Sequence, residues 1–461
     1  MSDKKNKGKI DLGTAPVSQL IVQQAVPAGI GIFSVIFYQI VDTIFVGNYI
    51  GTNAIAAITV VLPITFLISS VGMALGVGGA SIISRALGAN DSERAYHTFG
   101  NLNSLIVLFC FLTVTLGYFF ANPVLKLFGA QGDVFPLAYT YFFCLLPALP
   151  GLAWAMMTNN VIRSEGQPKV AMVAMIIPGI VNIVFDYIFI VKFGWGIWGA
   201  GVATAMAYTS SALHNLTFFL TGNSSLSLGK KYLKLKWELV RETFAIGGTT
   251  MVRQSIAAVL AIVVNNTLFV YAGEMGIALF GIINRVLMFS MVPVFGLVQG
   301  SLPIIGFNYG AKSYDRVKQT MMISLKAGTG FGVIILIIVL AFADQIVGVF
   351  SKDPAILEIG GNALRIVFLA IPVVTTQVLG GAYFQGIGKA LPALLLTLSR
   401  QAFFLIPLIL FLPNFLEANG VWTAFPISDT LSTIITLSFL YPQWKLLKTN
   451  VEQPLEVSET L

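Results

Sequence analysis

Apolar runs long enough to cross a bilayer, which takes roughly 20 residues of helix, alternate with short polar joints along the whole chain. The pattern predicts twelve spans, at 17–49, 53–84, 95–121, 134–161, 169–191, 196–221, 239–271, 276–308, 317–343, 355–385, 390–412 and 419–443. A transmembrane barrel would alternate apolar and polar positions over segments of about 10 residues. These runs are longer and apolar on every face, so an all-α integral membrane protein is expected.

The polar joints fall into two kinds. One set is basic: Lys4, Lys5, Lys7 and Lys9; Arg85 and Arg94; Arg163 and Lys169; Lys230, Lys231, Lys234, Lys236 and Arg241; Lys312, Arg316 and Lys318; Lys389; Lys445 and Lys448. The opposite joints hold Lys126, Lys192 and Lys352 beside Asp133, Glu274, Asp353 and Glu417. Since Lys and Arg near span ends stay on the cytoplasmic side, both termini are expected inside a plasma (cytoplasmic) membrane, which requires an even number of spans. The opening "MSDKKNKGK" is not followed by a short apolar stretch ending in small residues, so no removable leader is expected.

The chain also repeats itself. "LGANDSERAYHT" from Leu87 matches "YGAKSYDRVKQT" from Tyr309 with each pair 222 residues apart, and the same offset joins Phe128 to Phe350 and Gly166 to Gly388. Allowing a three-residue indel, "GVATA" from Gly201 echoes "GVWTA" from Gly420, which sets Thr204 against Thr423. Six spans per half preserve orientation, so the repeat is parallel, and the expected architecture is two six-helix lobes. The expected divisions are a tail at 1–16, an N-lobe at 17–221, a linker at 222–238, a C-lobe at 239–443 and a tail at 444–461. Prolines at membrane depth, among them Pro27, Pro147, Pro150, Pro178 and Pro372, remove backbone hydrogen bonds where helices can bend.

Composition agrees: 56% of residues are hydrophobic and 10% charged, with a mean hydropathy of +0.84, which excludes an ordinary soluble domain. The net charge of +7 follows from the one-sided joints and asks for no nucleic-acid partner. Cys110 and Cys144 read as buried thiols, and His97 and His214 stand alone. No HExxH, GxSxG, P-loop or redox CxxC occurs, so neither an enzyme nor a cofactor is expected.

Against this background the acidic residues inside spans stand out. A charge at mid-membrane costs about 2.5–3.5 kcal/mol even on the lenient insertion scale, so it should face a cavity or a partner. Asp42 lies in the first span and Asp186 in the fifth; Asn182 shares a helical face with Asp186, and Asn160 and Thr204 are available from neighbouring spans. Two carboxylates in one desolvated pocket cannot both stay ionised cheaply, which suits proton loading. Asp, Asn and Thr oxygens equally suit a hard cation such as Na+, and both uses stay open. The second half has Val264 opposite Asp42, and instead carries Arg253, Arg285, Arg365, Arg400 and Asp429 near or within spans. Of these, Asp429 and Arg253 are the candidates for function. Tyr141, Met175 and Met291 are among the aromatic and Met side chains that suit a soft wall around an amphipathic ligand.

The twelve spans in two halves, with "QIVDTIFVG", "RSEGQPK", "NIVFDYIFI", "GAGVATAMA" and "FPISD" in that order, together resemble the multidrug and toxic compound extrusion (MATE) family over about residues 15–445. The likeness is to prokaryotic members with a cation site in the N-terminal lobe. It implies that Asp42 is the central proton or sodium carboxylate, completed by Asn182, Asp186 and Thr204, with Tyr38 and Asn159 beside the substrate cavity. Another branch uses an acid in the seventh span, where "TTMVRQSIA" offers Arg253 and Gln254. The resemblance implies an antiporter that exports cationic or amphipathic organic compounds in exchange for H+ and/or Na+ by alternating access. A flippase for a lipid-linked or amphiphilic metabolite is the alternative, and it would lean on Arg253, Arg285 and Arg365. Because the repeat lets one chain build the whole pathway, a monomer surrounded by membrane lipid is expected.

Overall fold

The computed structural model describes residues 10–227 and 229–452, with side chains through Leu447. Lys4, Lys5, Lys7 and Lys9, and with them the ends of the tails at 1–16 and 444–461, lie outside the described residues, and so does the side chain of Lys448. Among the described residues every regular element is a helix. The first half comprises α1 (Val17–Tyr49), α2 (Thr52–Gly88), α3 (Ser92–Leu127), α4 (Val134–Leu145), α5 (Leu149–Ser164), α6 (Pro168–Asp186) and α7 (Gly196–Leu220). The second comprises α8 (Trp237–Gly310), α9 (Tyr314–Phe350), α10 (Pro354–Phe368), α11 (Ile371–Gly386), α12 (Ala390–Leu398), α13 (Ile406–Phe411), α14 (Pro413–Leu416) and α15 (Ala418–Glu452).

These elements resolve into the twelve expected passages. The 74-residue α8 is two spans, because Gly273 breaks it with φ +62, a conformation open to glycine for want of a Cβ. α4 and α5 form one span bent by 56°, and α10 and α11 another bent by 46°. Each bend falls where a proline, Pro150 or Pro372, enters the first turn of the following helix and cannot continue the previous hydrogen-bond ladder. α7 is less apolar than its neighbours, being rich in Gly, Ala, Ser and Thr, yet it carries no Asp, Glu, Lys or Arg. α12 and α13 are joined through a π-helical turn, Ser399–Leu405, to make the eleventh passage.

The repeat is written into the backbone at the offset the sequence gives. Gly51 and Gly273 both have positive φ, as do Asn90 and Lys312, and Gly166 and Gly388. Phe120 and Phe342 mark the same departure from helical geometry in α3 and α9. Only α3 has a proline close behind its kink, Pro123, so the kink belongs to the repeated fold and not to proline.

Packing divides the chain into two compact units. The first holds Pro27–Met251 with Ile10 and Asp11, and the second holds Leu12–Val26 with the chain from Val252 on. Set beside the sequence lobes, each unit includes the opening stretch of the other half's first span. Repeat-mate residues secure both stretches. In the first unit, Arg94 reaches Glu242 at 2.7 Å and Gly78 lies so close to Thr243 that a Cβ would strike its carbonyl. In the second, Arg316 donates to the Ala15 carbonyl at 2.7 Å, and Gly300 lies so close to Ala25 that a Cβ would strike its backbone nitrogen. The first core gathers Leu75, Phe99, Leu102, Phe142, Leu149 and Met157; the second gathers Val264, Leu268, Val347, Leu364, Phe368 and Trp422.

Candidate functional site

Four helices of the first unit bring polar side chains to one place, three of them as pairs four residues apart and therefore on one helical face. α1 supplies Tyr38 and Asp42, α6 supplies Asn182 and Asp186, α7 supplies Thr204 and Tyr208, and α4 supplies Tyr141. Missing side chains make room for this. Gly179 of α6 faces the Tyr38 ring, where a Cβ would come within 3.1 Å, and Gly201 of α7 faces Cys144 and Tyr141. Asp186 closes the last α-helical turn of α6, and the π-helical turn Tyr187–Lys192 follows at once. Such turns widen the helix at the cost of regular hydrogen bonding and recur at functional sites.

The Thr204 hydroxyl is the meeting point. It accepts from Tyr141 Oη at 3.4 Å and Asn182 Nδ2 at 3.5 Å, and donates to the Ala200 carbonyl at 3.0 Å. Asp42 and Asp186 face each other within hydrogen-bonding reach, with Asn182 beside Asp42. Asp42 also lies within electrostatic range of Tyr141 and Tyr208. Among the described residues neither carboxylate takes part in an ion pair.

Four oxygens are then left over: Asp42 Oδ1, Asn182 Oδ1 and both carboxylate oxygens of Asp186 are buried with no hydrogen-bond donor among the described residues. Two ionised carboxylates have no hydrogen to share, so their proximity satisfies neither. A buried polar group left this way costs about 1–3 kcal/mol, and more when charged. What the set lacks is a positive charge small enough to enter it, either a proton or a hard cation held by carboxylate, amide and hydroxyl oxygens. Among the described residues no three His, Cys, Asp or Glu side chains converge, so a transition-metal site is not formed.

The remaining candidates lie elsewhere. Asn159 donates to the Ala171 carbonyl at 2.7 Å and accepts from Arg163 Nε at 3.1 Å. Met175 receives Arg163 Nη2 at 3.2 Å, so Asn159 and Met175 are both engaged by a buried arginine. Asn160 donates to its own helix at Met156. Met291 packs in the core of the second unit. Asp429 is buried and held by Arg400 at 2.6 Å, while half-buried Arg253 makes no ion pair among the described residues. Arg365, one of the three arginines a flippase would lean on, is taken up by Asp344 at 2.6 Å. Sequence reasoning missed Tyr208, although its place four residues after Thr204 puts it on the same face. It also missed the Arg400–Asp429 pairing, which spans 29 residues and carries no local signal.

The MatE family model matches residues 27–188 and 248–411, one block in each half and most of the chain. The chain belongs to the MatE family. As such it is a multi-pass membrane transporter of twelve helices in two lobes, and not an enzyme. Among MatE relatives, the multidrug export protein MepA of Staphylococcus aureus (strain N315) is 24% identical over 429 residues, which cover 93% of this chain and 94% of MepA. The MATE multidrug transporter DinF-BH, solved in complex with a bound compound, is 37% identical, with a TM-score of 0.86 over 94% of this chain and 98% of that one. A crystal structure of MATE in complex with MaD3S superposes with a TM-score of 0.89 at 24% identity, over 95% and 98% of the two chains.

Proposed function

We propose that this MatE protein is a secondary active exporter of cationic or amphipathic organic compounds, and that the pocket of Asp42, Asn182, Asp186 and Thr204 couples export to inward movement of H+ or Na+. The observation that carries this reading is the set of four buried acceptor oxygens with no donor. A pocket so built gains from taking up one small positive charge and strains when it loses it. The same four oxygens can meet a proton, shared between the carboxylates, or a sodium ion. The multidrug export named for MepA and the compound bound to DinF-BH support small organic molecules as the cargo. The plasma membrane with both termini inside follows from the one-sided basic joints.

Coupling requires that the ion and the compound favour opposite states of the transporter, or disfavour each other's binding. Alternating access supplies two such states: the pocket releases its ion toward the cytoplasm in one and reloads in the other. Exchange of one monovalent cation for one proton moves no net charge, so each pH unit, about 1.4 kcal/mol, supports roughly a tenfold concentration ratio. Tyr38, Tyr141 and Tyr208 lie within electrostatic range of Asp42, and the Tyr141 hydroxyl links to the pocket through Thr204.

The experiment is efflux of a fluorescent organic cation from proteoliposomes under separately imposed proton and sodium gradients, comparing the parent with Asp42→Asn. The expected outcome is gradient-driven efflux in the parent and none in the variant, with the responding gradient naming the ion. Equal transport by both proteins would remove Asp42 from the coupling and overturn the reading.

A further inference from the structure

The joint between the halves, "KKYLKLKWELVR" from Lys230, plays no part in the transport pocket, yet it is fastened in detail. Asn101 of α3 donates to the carbonyls of Tyr232 at 3.4 Å and Lys234 at 3.1 Å, and its Oδ1 accepts from the Lys236 N–H at 2.7 Å. Ser104 donates to the Leu233 carbonyl at 2.7 Å. Tyr232 is buried, with its ring 5.0 Å from that of His97 and its hydroxyl on Glu93 at 3.0 Å. Gly100 is required where the Tyr232 carbonyl crosses α3, since a Cβ there would collide with it.

With this stretch of backbone pinned to α3, the side chains after Tyr232 turn outward. Leu233 is 43% exposed, Leu235 47% and Trp237 77%, and Lys234 and Lys236 are exposed between them. The opening of α8 continues the surface: Trp237, Arg241 and Phe244 are exposed, while Leu239, Val240 and Thr243 are buried. Nearby acids are already engaged, Glu93 by Lys231, and Glu238 and Glu242 by Arg94 and Arg85. Lys230, Lys234, Lys236 and Arg241 make no ion pair among the described residues.

We propose that this ledge is a binding site for anionic phospholipid, with the headgroup phosphate on Lys230, Lys234, Lys236 and Arg241 and the upper acyl chains against Leu233, Leu235, Trp237 and Phe244. The alternation matches the membrane interface, where lysine stems lie along apolar surface, ammonium heads meet phosphates and indole rings sit at headgroup level. A linker that only joined two lobes in water would gain nothing from a fixed backbone displaying three large apolar side chains. A surface for an acidic protein would have no use for them at the very start of a membrane span. Charge complementarity therefore selects the lipid.

The test uses the full-length protein in nanodiscs containing phosphatidylglycerol, phosphatidylcholine or both, with retained lipid read by native mass spectrometry. The parent is expected to retain phosphatidylglycerol at least tenfold over phosphatidylcholine, and K230Q/K234Q/K236Q to lose that preference. The matched triple K126Q/K192Q/K352Q, which removes the same charge from exposed lysines of the opposite joints, and the arginine triple K230R/K234R/K236R are expected to keep it. Equal retention by K230Q/K234Q/K236Q, or equal loss in the matched triple, overturns the proposal. A second readout, which needs none of the lysine variants, guards against a variant that fails to fold. Brominated phosphatidylglycerol should quench the emission that distinguishes the parent from W237F, and equal quenching by brominated phosphatidylcholine also overturns it.

Discussion

Each packing unit buries acid within its helices, and the two treat it in opposite ways. In the first, Asp42 and Asp186 face each other with no ion pair among the described residues and with unpartnered oxygens. In the second, Asp429 is answered by Arg400 at 2.6 Å, and the Ser428 hydroxyl also donates to the Arg400 carbonyl at 2.6 Å. Both sites adjoin a π-helical turn, Tyr187–Lys192 in one and Ser399–Leu405 in the other. Each unit has thus placed irregular backbone next to buried charge, and only one of the two has been left electrically open. An ion pair closed within the protein has no need of a mobile charge, whereas an open acid pair does.

The sharpest way to break this contrast is to remove one acid from each unit and compare what is lost. Asp186→Asn should abolish gradient-driven efflux in the proteoliposome assay while leaving the fold at least as stable, because it removes a buried charge that nothing answers. A destabilised but active variant would mean that the pocket is structural. The converse holds in the second unit. Arg400→Met should destabilise the protein by about 3–5 kcal/mol, the usual cost of leaving one member of a buried pair alone. Thermal unfolding in detergent measures it, and Arg400→Met with Asp429→Leu should recover most of the loss. If the single and double variants melt alike, Asp429 is not held by that charge, and the comparison between the units fails.

Much of this was legible in the sequence, for identifiable reasons. Twelve spans and a repeat at 222 residues can be read directly because lipid forces backbone groups to pair within helices and leaves long apolar runs as the mark. Asp42 and Asp186 could be found because a carboxylate in such a run is costly, and Asn182 because it sits one turn away on the same face. What was not legible depended on distance in the chain. The exchange of Leu12–Val26 between halves rests on close contacts such as Gly300 against Ala25, and no periodicity announces a glycine's partner. Asn159 and Met175 are apolar-span residues like many others until Arg163 is seen between them. Their engagement by a buried guanidinium gives them a packing role alongside any contact with cargo.

Smaller changes within the open pocket should separate charge from geometry. Thr204→Val keeps the shape and removes the hydroxyl on which Tyr141 and Asn182 converge. Both contacts are long, so the expected cost is about 0.5–1.5 kcal/mol, seen as a severalfold weaker response to the driving gradient at unchanged maximal rate. Tyr141→Phe should do less, since the hydroxyl it loses makes one of the two contacts. If either variant abolished transport outright, the hydroxyls and not the acid pair would be the coupling groups.

The subtlest test asks what fills the pocket at rest. In the proposed pocket a proton and a sodium ion would compete for the carboxylate oxygens of Asp42 and Asp186, so any stabilisation by sodium must shrink as pH falls, because protonation removes the negative charge that a metal ion requires. For a ligand that binds only the folded protein, the rise in unfolding free energy follows RT ln(1 + [L]/Kd), about 2.7 kcal/mol at a hundredfold excess over Kd. Sodium-dependent shifts in melting temperature should therefore be largest at alkaline pH, diminish through neutrality and vanish in both Asp42→Asn and Asp186→Asn. Arg400→Met should retain them in full, since its damage lies in the other unit. A sodium shift that survived acid pH, or that disappeared with Arg400, would place the cation outside the acid pair and would make the second unit, not the first, the electrically open one.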